Sequence, residues 1–233
     1  MYLLNRDLVF PHPDYSNDYG LLAIGGDLSP QRLELAYYNG IFPWFEDEDQ
    51  IAWWSPDPRM ILYPSEVKVS KSMRKFIRDC NYKLTIDSDF EKVVQNCSII
   101  ERKDQDGTWI LESMREAYTK LHKSGLAHSI EVWDEENNLI GGLYGVNIGK
   151  VFCGESMFSK RSNASKYAFI YLAKLLEQKN YKFIDCQMHT DHLASLGAKE
   201  IDRDKFLEDL YSARDEEAWN FKLPDNHIPL HDH

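Results

Sequence analysis

The sequence predicts an α+β protein, with a small N-terminal α/β domain over residues 1–66 and a larger domain over 67–233 built on a mostly antiparallel sheet. Three observations carry that prediction. Residues 1–66 are dense in proline, glycine and aromatics, with short apolar runs between turns. Residues 129–157 form three alternating segments joined by turns too short for a parallel crossover, which is the pattern of an antiparallel meander. Helical periodicity brackets that meander on both sides.

The elements follow in order. Leu21 to Ile24 and Gly25-Gly26-Asp27 read as a short strand and a turn. Ser29 is a good N-cap and Pro30 suits the first helical position, so a helix starts there, with Leu33, Ala36 and Tyr37 inward and Gly40 ending it. Ile41 to Phe45 and Trp53 to Pro58 read as irregular and proline-punctuated, and Arg59 to Tyr63 as a strand. Ser70 caps a second helix with Met73, Phe76, Ile77 and Cys80 on one face. A third helix spans 89–98, with Phe90, Val93, Val94 and Cys97 inward, and a longer one runs from Thr108 through Met114, Tyr118 and Leu121 to Gly125. The meander strands are Ser129 to Trp133, Leu139 to Val146 and Lys150 to Met157. Asn163 then opens a helix, Tyr181 to Gln187 is a strand, 190–197 a short helix, and Phe206 to Tyr211 lie on a final helix. The acidic segment from Asp215 is expected to be loose.

Composition bounds the function. The chain has 233 residues, 43% of them hydrophobic, enough to bury a core. Thirteen tyrosines, eleven phenylalanines and six tryptophans exceed what a core of this size needs, so some are free to line a pocket. No apolar run approaches the ~18 residues of a membrane span, and the N-terminus does not resemble a signal peptide. Cys80, Cys97, Cys153 and Cys186 are scattered and read as buried free thiols. The net charge of −11 argues against nucleic acid as a partner, but residues 68–83 carry six basic residues against Asp79 alone, a local +5. Taken alone, that stripe is a solvated helix face in most proteins.

Chemistry concentrates on two strands. Asp185 and Gln187 are two apart, so alternation puts them on one strand face, and Glu155 adds a carboxylate on a neighbouring strand. A carboxylate kept on a buried strand is costly unless partnered. Two acids and an amide facing one cleft suit a cationic or amine substrate; the bland reading of Asp185 is a bond to nearby backbone. His189-x-x-His192 with Asp191 has crude metal spacing, but helix-start and packing roles explain it better.

Meander, helix, strand, helix is the element order of GNAT-like acyltransferases. The Gln/Arg-x-x-Gly-x-Gly/Ala loop that holds coenzyme A pyrophosphate in those enzymes is absent; Ser159-Lys160-Arg161-Ser162-Asn163 stands in its place. An ordered set of motifs goes further: Gly-Gly-Asp-Leu-Ser at 25–29, Gly-Ile-Phe-Pro-Trp at 40–44, Trp-Trp-Ser-Pro-Asp-Pro-Arg at 53–59, Gly-Gly-Leu-Tyr-Gly at 141–145, Gly-Glu-Ser-Met-Phe-Ser at 154–159, Asn-Ala-Ser-Lys at 163–166, Ile-Asp-Cys-Gln at 184–187 and His-Leu-Ala-Ser-Leu-Gly-Ala at 192–198. Together they resemble the leucyl/phenylalanyl-tRNA–protein transferases.

The resemblance implies a cytoplasmic enzyme of the N-degron pathway, with no metal or organic cofactor. It implies transfer of Leu or Phe, and less readily Met, from charged tRNA to proteins beginning with Arg or Lys. It assigns Asp185 to attracting and orienting the amine and Gln187 to hydrogen-bonding the reacting centre. Glu155 either pairs with the acceptor's Arg or Lys side chain or sits at the rim of the side-chain pocket; the family pattern favours the rim, with Phe152, Met157, Leu143 and Ile184 as apolar lining. Trp109 and Trp53 are candidates to flank the terminal adenosine. Lys71, Arg74, Lys75 and Arg78, and a second cluster of Lys160, Arg161 and Lys166, are the tRNA-backbone candidates. A coenzyme A-dependent N-acyltransferase and a non-catalytic module recognising protein N-termini are the alternatives.

Overall fold

The computed structural model describes residues 2–48, 50–99 and 110–222. Near the N-terminus β1 (Tyr2–Leu4), β2 (Leu21–Gly25), β3 (Phe42–Pro43) and β4 (Ala52–Trp54) form a small sheet in the order β1-β2-β4-β3. The irregular segments around Phe42 and Trp53 thus supply two short antiparallel strands. The larger sheet contains β5 (Arg59–Leu62), β6 (Lys83–Ile86), β7 (Ala127–Trp133), β8 (Leu139–Ile148), β9 (Val151–Ser159), β10 (Phe183–Gln187) and β11 (Lys199–Ile201), in the order β11-β5-β10-β9-β8-β7-β6. Only β9 and β10 pair parallel within it. The architecture is α+β, with a small N-terminal sheet and a larger, mostly antiparallel one.

The domain boundary expected at 66 is displaced. β5 pairs with β10 and β11 inside the large sheet, so the chain enters that sheet by residue 59. Nor does the N-terminal segment own a core: Leu22, Tyr37 and Trp53 belong to the same buried cluster as Val94, Tyr144 and Phe206.

Among the described residues there are seven α-helices: α1 (Pro30–Tyr38), α2 (Lys71–Asp79), α3 (Phe90–Ile99), α4 (Glu112–Lys123), α5 (Ala164–Gln178), α6 (Asp191–Ser195) and α7 (Arg203–Ala213). Ser29 and Ser70 cap α1 and α2 through their hydroxyls, accepting the Arg32 and Met73 N–H groups at 3.4 and 3.1 Å. The helix expected from Thr108 begins later: Ile110 and Leu111 are non-helical, and residues before 110 lie outside the described ones. None of the described helices is long and apolar enough to cross a membrane.

The large sheet buries both faces. α1, α3, α4 and α7 share one hydrophobic cluster with one face, and α2 and α5 share another with the opposite face. Such two-sided burial explains why all ten residues of β8 are buried rather than alternating. Its glycines answer to close neighbours. A Cβ on Gly141 would stand 2.5 Å from the Ala164 methyl at the start of α5, and one on Gly145 would stand 2.5 Å from the Phe152 ring. Bare backbone at 145 therefore leaves room for that ring beside β8.

The acidic segment after 215 is not loose through Lys222. Phe221 is buried, stacks on His128 with centroids 4.0 Å apart, and reaches Phe152 at 5.6 Å. Its aromatic content overrides its charge, because a buried ring outweighs the solvation of a few neighbouring carboxylates.

Candidate active site

A cavity of about 340 Å³ opens where β9 and β10 stop pairing. Their parallel ladder runs only from Phe183–Val151 to Asp185–Cys153. Beyond it both strands bulge. β9 slips against β8 between Gly154 and Ser156, which makes Glu155 the extra residue. β10 slips against β5 between Asp185 and Gln187, and Gln187 takes a left-handed φ of 65°. A bulge re-aims the side chain it carries. Here the two re-aimed side chains meet: Gln187 Nε2 donates to Glu155 Oε1 at 2.8 Å.

The apolar wall comes from four elements. Leu143 of β8, Phe152 and Met157 of β9, Ile184 of β10, and Phe169 and Leu172 of α5 line the cavity. The structure thus brings Leu143, Phe152, Met157 and Ile184 around one space with Glu155 and Gln187.

Asp185 is not there. Ile184 and Cys186 face the cavity, so alternation sends Asp185 through to the opposite face. The shared face expected for Asp185 and Gln187 fails because the bulge shifts the phase of the strand between them. Asp185 instead forms a buried two-pronged pair with Arg59: Nε donates to Oδ1 at 2.8 Å and Nη2 to Oδ2 at 2.7 Å, with both side chains 1% exposed. The guanidinium lies 4.8 Å from the Phe42 ring and 4.4 Å from the Phe206 ring. Asp185 Oδ1 also accepts the Gln187 N–H at 2.9 Å. Asp185 therefore lies against Arg59 and away from the cavity, and its bond to the Gln187 N–H holds the bulge that carries Gln187.

Glu155 is the titratable group of the cavity. Tyr118 of α4 donates its hydroxyl to Oε2 at 2.7 Å, and Tyr37 of α1 stands 2.5 Å from the Tyr118 oxygen. With Tyr118 committed to the carboxylate, Tyr37 donates to Tyr118. Burial dominates and pushes Glu155 up to about 7; the bonds from Tyr118, Tyr37 and Gln187 pull the other way. Both phenols are pushed well above their ordinary range, first by burial and then by the Glu155 charge, so they stay protonated donors. The cavity thus holds a carboxylate that changes charge near neutral pH, beside an amide and over an apolar floor.

Two family models match the chain. Residues 61–211 match that of the leucyl/phenylalanyl-tRNA protein transferase, and residues 26–57 that of its N-terminal domain. The leucyl/phenylalanyl-tRNA–protein transferase of Flavobacterium johnsoniae is 55% identical over 212 residues, covering 91% of this chain and 100% of that protein. The chain belongs to the leucyl/phenylalanyl-tRNA–protein transferase family. The Maridesulfovibrio salexigens transferase is 51% identical, covering 95% of this chain and 94% of its own. A solved structure, L-PGS from Bacillus licheniformis, aligns with 75% of this chain and 57% of its own at 14% identity and a TM-score of 0.38.

In this member of the transferase family the tryptophans sort differently from expectation. Trp53 is fully buried, donates Nε1–H to the Gly25 carbonyl at 2.9 Å and packs on Phe10, so it is core. Among the described residues Trp44 is the tryptophan that lines the cavity, backed by Trp54, whose indole donates to the Trp44 carbonyl at 2.6 Å. Trp109 lies outside the described residues.

The basic residues separate too. Lys71, Arg74, Lys75 and Arg78 are all exposed along α2, opposite the buried Met73 and Ile77. Lys160 is exposed. Arg161 is already paired with Asp134 at 3.1 Å, which weakens its claim on a phosphate. Lys166 is half-buried and near enough to His192 of the cavity to depress its pKa.

Arg59, Trp44, Tyr37, Tyr118, Phe169 and His192 were missed as site residues. Arg59, Trp44 and His192 sit inside motifs already singled out. The two tyrosines carried only the signal of helix inner faces, which means core and nothing more.

Proposed function

We propose that the cavity receives the amino acid of an aminoacyl-tRNA and passes it to the N-terminus of an acceptor protein. The carrying observation is the meeting of Glu155 and Gln187 on two bulges above an apolar floor. The floor takes Leu, Phe or Met. A slot of this kind discriminates by only about 1–3 kcal/mol per methylene, so several apolar side chains are accepted together. The acceptor begins with Arg or Lys, and the enzyme works in the cytoplasm, in the N-end rule pathway.

In the reaction the acceptor's α-amino nitrogen attacks the ester carbonyl carbon. A C–N bond forms, the C–O bond to the ribose breaks, and the amine's proton ends on the ribose oxygen. The amine has an ordinary pKa near 8, so little activation is needed and positioning supplies most of the acceleration. Glu155, ionised, holds an amino group; Gln187 hydrogen-bonds the reacting centre. Asp185 acts through the Gln187 bulge and is a positioning residue.

The deciding assay mixes the protein with labelled Phe-tRNA and a peptide beginning with Arg. Label on the peptide is expected; its absence under conditions where the donor stays charged removes the reading. The exposed face of α2 tracks the tRNA backbone. Reversing Arg74 and Lys75 to Glu should raise KM for Phe-tRNA and flatten its salt dependence, because phosphate contacts release counterions. A short Phe-adenosine ester should be used as well as before. An equal loss with both donors would remove α2 from the tRNA path.

A further inference from the structure

The cavity wall has a second layer behind it. Phe152 lines the cavity from β9 and is otherwise packed in, so its ring moves only where its neighbours leave room. Two of those neighbours stand close. The bare backbone of Gly145 is one: a Cβ there would lie 2.5 Å from the ring. Phe221 is the other, with ring centroids 5.6 Å apart. Phe221 shares a buried cluster with the wall residues Phe152, Leu143, Ile184 and Leu172, yet it is not itself part of the wall.

A segment lying loosely on the sheet could not fix the position of a wall residue. The segment that carries Phe221 is held from several sides. Its ring stacks on His128 of β7 at 4.0 Å, with the planes 6° apart, and on Trp219 at 4.5 Å. Trp219 is clasped through its backbone: its N–H donates to the Tyr181 hydroxyl at 3.2 Å, and its carbonyl accepts from Asn147 Nδ2 at 3.4 Å. Tyr181 donates in turn to Asn147 Oδ1 at 2.8 Å, which closes the ring of bonds. Phe221 also keeps a left-handed φ of 53°, a costly conformation for a bulky residue that persists only where the surroundings hold it.

Cores are close-packed, so a ring supported from behind stays where it is, and a neighbour trimmed away lets it fall back. We propose that Phe221 is a positioning residue for substrate choice: by backing Phe152 it sets the depth of the apolar floor, and with it the preference between Leu and Phe. The inference rests on the transferase reading above.

The test is a competition. Phe-tRNA and Leu-tRNA, differently labelled, share one reaction with a peptide beginning with Arg, so the product ratio reads the ratio of the two kcat/KM values. Phe221→Ala empties the space behind Phe152 and deepens the floor. The Phe-to-Leu ratio should rise about 10-fold, the scale set by one methylene of room in an apolar pocket. Phe221→Leu refills part of the volume and should give a smaller rise of the same sign. An unchanged ratio, even with both rates reduced, would make Phe221 a packing residue and overturn the proposal; so would a fall. Melting curves accompany both variants, and if the alanine protein does not fold the leucine protein decides by the same ratio. The parent enzyme distinguishes the two levels: no transfer by the parent sinks the transferase reading, whereas an active parent whose ratio the folded variants share sinks only this one.

Discussion

An Arg59→Met protein is expected to melt about 6–20 °C below the parent. Asp185 would be left 1% exposed with its two-pronged partner gone. Breaking a buried pair from one side costs about 3–5 kcal/mol, and in a chain of this size each kcal/mol is worth about 2–4 °C. Adding Asp185→Leu should bring most of that back, since an apolar pair of similar volume is commonly neutral or better than a buried ion pair. The double variant then separates folding from function. It is expected to fold yet transfer poorly, because the Gln187 N–H loses its acceptor at Asp185 and the left-handed residue at 187 loses what holds it. Thermal unfolding by circular dichroism and the peptide-labelling assay check the two halves. Normal transfer by the folded double variant would remove Asp185 from any positioning role.

The second large effect is on pH. Glu155 titrates near 7 and the acceptor amine near 8, so in the parent both must lose a proton for transfer. Below pH 7 the parent's log kcat/KM should fall one proton more steeply than that of Glu155→Gln, which keeps only the amine's limb. At pH 8 the Gln variant should be about 100-fold slower or worse, having lost the charge that holds an amino group. Stability runs the opposite way. Glu155 has its ordinary value of 4.5 when unfolded and about 7 when folded, so the folded chain binds the proton more tightly. The resulting stability is fully present below 4.5 and is lost as pH rises through about 7. Glu155→Gln should therefore melt higher than the parent at pH 8 and no higher at pH 4. Equal steepness of the two rate profiles would mean that Glu155 carries no charge relevant to transfer. Glu131, also buried and pushed up to about 7, adds its own pH dependence to melting, and the comparison of Glu155→Gln with the parent cancels it.

Much of the fold was legible because its signals are local. Caps at Ser29 and Ser70, the meander turns and the face of α2 need only a few consecutive residues, and they fall where the spacing puts them. The apolar wall was legible as well: the motifs hold Leu143, Met157 and Ile184, and Phe152 stands two residues before one of them. β5 escaped assignment to the large sheet because nothing in Arg59–Leu62 says which strands it will join, and both its partners lie more than 100 residues downstream.

Alone, the sequence determined which chemical groups this protein owns: an acid-and-amide strand, a second acid beside it, an apolar slot and a basic helix. Periodicity sufficed for the acid-and-amide strand and the basic helix, because each depends on spacing within one element; the apolar slot was implied by the family resemblance. The tertiary structure decided which groups face the cavity. Two bulges shift the phase of β9 and β10, so Glu155 and Gln187 turn toward each other while Asp185 turns away to Arg59. A bulge depends on what the neighbouring strand permits, and that partner is chosen only when distant segments pack.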